Sequence, residues 1–88
     1  MLSLPEELTH AGANACLAQL THGLATEPAQ VVVNAQALHR FDSSALAVLI
    51  EFHRVCSRTG KTLAVHGLPS RLQDLAALYG IKELLPSA

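Results

Sequence analysis

Aromatic side chains are scarce in this sequence, and none of its 88 residues is a tryptophan. The aromatic residues are Phe41, Phe52 and Tyr79, although half of the sequence is apolar. The core must therefore be built mainly from leucine, valine and alanine. A chain of this length is near the lower limit for a self-sufficient core, so we expect one domain over residues 1–88.

Charge of either sign is also limited, and no basic cluster is present. Six lysines and arginines nearly balance seven aspartates and glutamates, which gives a net charge of −1. Arg54 and Arg58 share a predicted helix face with Glu51, so they form no continuous basic stripe. A nucleic-acid-binding surface needs such a stripe, and we expect no nucleic-acid partner.

Long hydrophobic runs and frequent cysteines are both absent. The longest apolar run, Ala45 to Ile50, is far shorter than the roughly 20 residues that a membrane-spanning helix needs. The first residues lack the basic and then apolar pattern of a signal peptide. Cys16 and Cys56 lie on predicted helix faces, which favours two buried, reduced thiols. These features predict a cytoplasmic protein with no direct membrane insertion.

Hydrophobic periodicity predicts strands that alternate with helices. A short strand is expected within residues 1–4, and longer ones at 30–34 and 62–66. Helices are expected at about 9–24, 43–59 and 70–79. This order predicts an α/β fold, in which a small mixed or parallel sheet of three to four strands packs with about three helices. Such a small sheet has exposed edges, which leaves a homodimer through a sheet edge open.

Several residues are expected to define the helix ends and faces. Residues 5–7 are predicted to turn the chain, and Thr9 to cap the first helix. Gly60 is predicted to end the second helix as a left-handed C-terminal cap, and Gly80 to stop the third. The second helix should bury a stripe of Ala45, Leu49, Phe52 and Cys56. The third should face inward with Leu72, Leu75, Ala76 and Tyr79.

The segment from Phe41 to Ile50 is the most informative part of the sequence. It places Asp42, Ser43 and Ser44 at the turn where the second helix begins. Backbone N–H groups are unpaired at such a turn, and the helix dipole favours negative charge there. The turn can serve as a helix cap, with either Asp42 or Ser43 as the capping residue. It can also serve as a switch, because a phosphate on a hydroxyl would add about two negative charges.

Other motifs in the sequence are fragments of catalytic or binding patterns. Residues 60–62 resemble the end of a phosphate-binding loop, but Val55 stands where that motif needs a glycine, and the strand and helix order is reversed. His39, Asp42 and Ser43 are the residue types of a catalytic triad, but they lie on one short loop without a nucleophile elbow. The five histidines show no paired ligand spacing. We expect no catalytic residue, no cofactor and no metal.

The segment 41–49 and the strand-like segment 31–34 before it resemble the signature of the STAS domain. The likeness continues through residues 60–67, which are similar to the family's next strand. Residues 72–81 resemble its final helix, and residues 84–86 resemble the chain end of B subunits of the Mla phospholipid transporter. The resemblance covers residues 27–86 well and the first helix loosely. The STAS family also contains bacterial anti-sigma factor antagonists and sulfate-transporter tails.

The resemblance implies a non-catalytic interaction module. In the Mla branch, it implies a subunit that binds the cytoplasmic ATPase of a phospholipid-trafficking ABC transporter. In the antagonist branch, the serine that a partner kinase phosphorylates corresponds to Ser43, and the partner is a serine-kinase anti-sigma factor. In either case the expected partner-binding residues are those on the turn and the helix face beside it, namely Asp42, Ser43, Ser44, Ala47, Glu51 and Arg54.

The sequence departs from the family pattern at two points. The family commonly has glycine where Ala45 stands, and we expect this methyl group to favour the helix but to crowd a closely approaching partner. Family members usually begin with a β-hairpin, of which residues 1–4 can supply only the second strand. This short start places the usual sheet edge in doubt and favours pairing with another chain.

Overall fold

The longer strands and the α-helices alternate along the chain as the sequence predicts. The computed structural model describes residues 1–88 and contains three α-helices: α1 (Ala13–Gly23), α2 (Ser44–Arg58) and α3 (Ser70–Leu78). Its strands are β1 (Leu2–Ser3), β2 (Glu7–Leu8), β3 (Gln30–Asn34), β4 (Arg40–Phe41) and β5 (Thr62–His66). Short 3-10 turns precede and follow α1 and lie near the end of the chain. The predicted α/β class is confirmed.

The main sheet has three parallel strands in the order β1-β3-β5. Val31 is paired with Leu63, and Val33 with Val65, along the two longest strands. Parallel neighbours need a crossover connection, and α2 supplies it between β3 and β5. The N-terminal strand β1 pairs with β3 in parallel on the side away from β5, so it lies at the edge of the sheet, and α1 lies in the connection between β1 and β3.

A second, very small sheet was not predicted. Strands β2 and β4 pair in parallel, with Glu7 opposite Arg40 and Leu8 opposite Phe41. The prediction that residues 5–7 only turn the chain is therefore wrong at Glu7. The carbonyl of Glu6 accepts backbone hydrogen bonds from His39 and Arg40 at 3.0 and 3.1 Å. These bonds hold the N-terminal segment beside residues 39–40, just before the turn at Asp42.

The two edges of the main sheet differ in how they are covered. On the β5 edge, the Val65 N–H donates to the Pro86 carbonyl at 2.8 Å, and the Ala88 N–H donates to the Val65 carbonyl at 3.0 Å. The chain's own last residues thus occupy part of that edge. The opposite edge is the two-residue strand β1. A homodimer through a sheet edge stays a prediction, and β1 is the edge that it would use.

The core lies between the main sheet and the inner faces of α1 and α2. Ala45, Leu49, Phe52 and Cys56 are fully buried, so the predicted inner stripe of α2 is confirmed. Cys16 is also buried, and both cysteines are free. Burial raises the pKa of both thiols. Thiols of raised pKa are poor nucleophiles, which fits a packing role for both.

The helix ends predicted at Gly60 and Gly80 agree with the structure, whereas the structure differs from the predictions for Thr9 and Tyr79. Gly60 has a φ of +76°, so its predicted left-handed conformation is confirmed, and Gly80, which ends α3 as predicted, has a φ of +73°. Thr9 makes no side-chain capping bond, because the chain enters α1 through the 3-10 turn. Tyr79 is 60% exposed, so its predicted inward position is wrong. Helix α3 ends at Leu78, and its inward face stops at Ala76.

Lys61 joins two parts of the chain through its side chain. The residue is half-buried, and its Nζ donates to the carbonyls of Leu24 and Glu27 at 2.9 and 2.6 Å. These carbonyls lie where the chain leaves α1 and turns toward β3. The ammonium group therefore satisfies acceptors at a helix end, where cations are favourable.

We expect a Lys61→Met variant to be less stable than the parent by about 1–3 kcal/mol, because the two carbonyls lose a charged donor. The aliphatic part of methionine preserves most of the packing, so this change isolates the ammonium group. Urea unfolding followed by circular dichroism measures the difference. Lys82→Met is the matched control, because Lys82 is exposed and its side chain has no bonded partner. Equal effects of the two substitutions would contradict the assignment.

Candidate functional site

Asp42 is the residue that caps α2. Its Oδ1 accepts a hydrogen bond from the Ser44 backbone N–H at 2.8 Å, and its carbonyl accepts one from Ala45 at 3.1 Å. Ser43 makes no side-chain capping bond, and its backbone is already helical at φ −62° and ψ −16°. Of the two capping residues that the sequence left open, the structure selects Asp42.

The second carboxylate oxygen of Asp42 binds the N-terminal segment. Oδ2 accepts a hydrogen bond from the His10 backbone N–H at 3.2 Å. The bond from the Ser44 N–H is the main cause that lowers the pKa of Asp42; desolvation opposes it, and the His10 N–H and the Ser44 hydroxyl add smaller lowering effects. Asp42 is exposed, but its acceptors are engaged within the chain. It therefore holds the shape of the turn.

Ser43 is the residue of this turn whose hydroxyl is available. Its side chain is exposed and forms no hydrogen bond, whereas Ser44 is half-buried and lies beside the Asp42 carboxylate. The Ser43 carbonyl accepts backbone hydrogen bonds from Leu46 and Ala47 at 3.1 and 3.2 Å. A fixed backbone thus presents a free hydroxyl at the positive end of a fifteen-residue helix.

The predicted residues of α2 continue from this turn along one face. Ala47 and Arg54 are exposed, and Glu51 is half-buried. Glu51 and Arg54 form an ion pair at 2.6 Å, one helical turn apart. Exposed pairs of this kind add little stability. The strip that runs from Ser43 through Ala47 to Arg54 therefore has a small residue at its centre and a paired charge at its far end.

A groove beside the turn was not predicted from the sequence. It has a volume of about 450 Å³ and lies between the start of α2 and helix α3. Phe41, Asp42 and Ser43 line one wall. The other wall comes from α3, through Arg71, Leu72, Asp74, Leu75 and Leu78. Four of these, at positions 71, 74, 75 and 78, recur at helical spacing, and this was the signal in the sequence that could have found the wall.

The catalytic and binding patterns considered from the sequence have other roles in the structure. No hydrogen bond joins His39 to Asp42: the His39 Nδ1 bonds to the Ala37 carbonyl, and the Asp42 oxygens bind backbone N–H groups. Lys61 belongs to the fragment that resembles a phosphate-binding loop, and its Nζ donates hydrogen bonds to backbone carbonyls. No group of three or more histidine, cysteine, aspartate or glutamate residues is placed to hold a metal ion.

Comparison with protein families decides what kind of domain this is. A family model described as Mlab, STAS domain matches residues 1–86. The chain belongs to the STAS domain family and is MlaB-like. A search of curated proteins finds no match. STAS domains are generally non-enzymatic. None of the helices has the length and apolar character needed to cross a membrane.

Membership of the STAS family places the turn at Asp42 in a known structural context. The match includes the first helix, where the likeness seen in the sequence was loose, and it also includes the short β1 strand. Ala45 replaces the glycine common in the family, and it is 0% exposed. Its methyl group points into the core, so the expectation that it would crowd a partner is wrong. The exposed residues of this turn, residues 42–44, here called the STAS turn, are Asp42 and Ser43, and the next exposed residue on α2 is Ala47.

The capping role of Asp42 predicts a specific pH dependence of stability. A carboxyl whose pKa is lowered by folding adds stability above its unfolded pKa, and this contribution is lost as the pH falls through its folded pKa. The parent should therefore lose stability relative to Asp42→Asn below about pH 4, because asparagine also caps helices but does not titrate. Urea unfolding of both chains between about pH 6 and pH 2.5 measures this difference. A difference that stays constant across that range would contradict the role.

Proposed function

We propose that this STAS domain is a non-catalytic subunit that binds the cytoplasmic ATPase of a Mla-type phospholipid-trafficking ABC transporter. The observation that carries the proposal is the exposed turn at Ser43 and Ala47 in a chain that matches the Mlab family model. The bound subunit supports the assembly or activity of the ATPase. It acts by docking, and it contributes no residue to ATP hydrolysis.

The arrangement of the turn supports binding to a partner protein without a catalytic step. Asp42 fixes the backbone, Ser43 offers a free hydroxyl, and the small side chain of Ala47 permits close approach along α2. Ser44 is half-buried at the base of the turn, and the Glu51–Arg54 pair forms the far rim. A protein that binds one state of its partner more tightly shifts the population toward that state. Binding to the assembled ATPase would therefore favour that assembly.

Co-purification at native expression tests this proposal. A tagged copy of the chain should retain an ABC ATPase through purification, and a strain that lacks the chain should lose outer-membrane lipid asymmetry. A chain that retains no ATPase, together with normal asymmetry in the deletion strain, would reject the proposal.

A second candidate function follows from the free hydroxyl of Ser43. Because Asp42 does the capping, Ser43 is exposed and accessible to a kinase. An anti-sigma factor antagonist switched by phosphorylation would use such a serine. Phosphate there would place like charge beside Asp42 and block the docking of a serine-kinase anti-sigma factor. Mass spectrometry of the cellular protein distinguishes the candidates: stoichiometric phosphate on Ser43 favours the switch, and a constantly unmodified Ser43 favours the transporter subunit.

Ser43→Ala separates docking from folding. We expect its free energy of unfolding to change by less than about 0.5 kcal/mol, because Ser43 makes no capping bond. We expect its affinity for the ATPase to fall by about tenfold, which is the effect of losing one well-placed hydrogen bond. Calorimetric titration and urea unfolding measure the two quantities, and Ser43→Thr, which keeps the hydroxyl, is the control. Loss of the native fold in Ser43→Ala would show that the cap is assigned wrongly.

A further inference from the structure

The three α-helices lie on one face of the main sheet. Strands β1, β3 and β5 are parallel and adjacent in that order, and a bridge between Val65 and Ser87 adds the end of the chain in parallel beside β5. Each connection therefore moves across the sheet in the same direction. Because such crossovers are right-handed, α1, α2 and α3 fall on the same face. In agreement, buried residues of all three helices form one core cluster with Val31 and Val33 of β3.

The opposite face of the main sheet carries no helix. Its side chains alternate with the core-facing ones along the strands. We call it the outer face, and its residues are Ser3, Gln30, Val32, Asn34, Thr62, Ala64 and His66. Val32 lies opposite Ala64 at its centre, and Ala64 is the one buried residue outside the core cluster. Parallel sheets are nearly always covered on both faces, so this open face is suited to a partner.

The outer face has no lysine, arginine, aspartate or glutamate. The six basic and seven acidic residues of the chain all lie elsewhere. The rim around the two central residues consists of hydroxyl, amide and imidazole groups, each of which can both donate and accept hydrogen bonds. In a two-fold dimer the same surface meets itself, so like charges would repel, whereas groups that both donate and accept can pair with their own copies. This composition therefore favours a second copy of the same chain as the partner.

We propose that the outer face binds the outer face of a second copy, which gives a two-fold dimer of two sheets packed face to face. Val32 and Ala64 of both copies meet near the axis, at the usual sheet separation of about 10 Å. Three short strands offer less than the roughly 800 Å² per partner of a stable complex, so we expect a weak dimer with a Kd of about 10–100 µM. The helices lie on the other side of each sheet, so both STAS turns stay exposed in the dimer.

Sedimentation equilibrium of the purified chain tests this proposal without any ATPase. Between about 10 µM and 1 mM, the weight-average mass of the parent should rise from near 9.3 kDa toward twice that value. We expect Gln30→Glu to weaken the dimer by about tenfold, because each copy then brings a carboxylate to the interface, and about 1 M salt should remove most of this loss. Val32→Glu places the charge near the axis and should weaken the dimer by about thirtyfold or more. Gln19→Glu is the matched control, since Gln19 is exposed on α1 and undergoes the same chemical change.

Three results would overturn the proposal. A parent that stays near 9.3 kDa at about 1 mM forms no such dimer. A Gln30→Glu dimer within about threefold of the parent's affinity would place the contact elsewhere, such as at the β1 edge. An equal loss in Gln19→Glu would attribute the effect to net charge rather than to the outer face. Circular dichroism confirms the fold of each variant, and Gln30→Glu, a nearly isosteric change at an exposed residue, decides the test if Val32→Glu unfolds. These measurements use the chain alone, so their outcome is independent of the proposed ATPase partner.

Discussion

An Ala47→Arg variant should fold normally and bind the partner ATPase about 100-fold more weakly than the parent, a loss of about 2.7 kcal/mol. Ala47 is exposed at the centre of the strip between Ser43 and Arg54. A long side chain there keeps the ATPase surface from making close contact with this strip. Arginine is a good helix former, and the site faces solvent in the free chain. The expected loss therefore comes from the interface.

Ala18→Arg is the matched control for this prediction. Ala18 is an exposed alanine on α1, so the same substitution is made on a helix away from the STAS turn. Calorimetric titration of both variants with the ATPase compares their affinities, and urea unfolding compares their stabilities. If Ala18→Arg weakens binding as much as Ala47→Arg does, the strip on α2 is not the docking surface.

A Phe52→Ala variant should lose about 3–5 kcal/mol of stability, the usual cost of deleting a buried aromatic side chain. Phe52 is the largest fully buried side chain and sits at the centre of the inner stripe of α2. A domain of this size has a total stability of about 4–13 kcal/mol, so the variant should be partly unfolded at physiological temperature. The core has no other buried aromatic ring that could fill the resulting space.

Tyr79→Ala is the matched control for Phe52→Ala, because Tyr79 is an exposed aromatic residue and Phe52 is a buried one. Tyr79 is mostly exposed after the end of α3, so its removal should change stability by less than about 0.5 kcal/mol. Urea unfolding of both variants gives the two values. A large loss in Tyr79→Ala would show that the tyrosine packs inward, as the helical periodicity had predicted.

The features predicted correctly from the sequence are those set by local patterns. The inner stripe of α2 follows from helical spacing, and the ends of α2 and α3 follow from Gly60 and Gly80. Strands β3 and β5 are apolar runs long enough to be recognised. The pair β2–β4 could not be predicted, because two-residue strands have no periodicity. That pair depends on tertiary contacts such as the Glu6 carbonyl with the backbone of His39 and Arg40.

The candidate site also has some features that local sequence patterns predict and others that depend on tertiary contacts. The capping role of Asp42 was one of two local alternatives, and the structure chose between them through one hydrogen bond to Ser44. The groove depends on how α3 packs beside the start of α2, and its walls are separated by about thirty residues of chain. No local pattern places Asp42 opposite Asp74. The bonds of Lys61 to carbonyls at the end of α1 were missed for the same reason.

Amide chemical-shift mapping tests most directly whether the STAS turn is the surface that meets the ATPase. The chain has a mass of 9.3 kDa, so its amide signals can be resolved and followed as unlabelled ATPase is added. If the STAS turn meets the ATPase, signals at residues 43–54 broaden or shift first, while those of β1 and the exposed face of α1 remain. Unchanged signals at the turn, with the changes confined to β1, would contradict it.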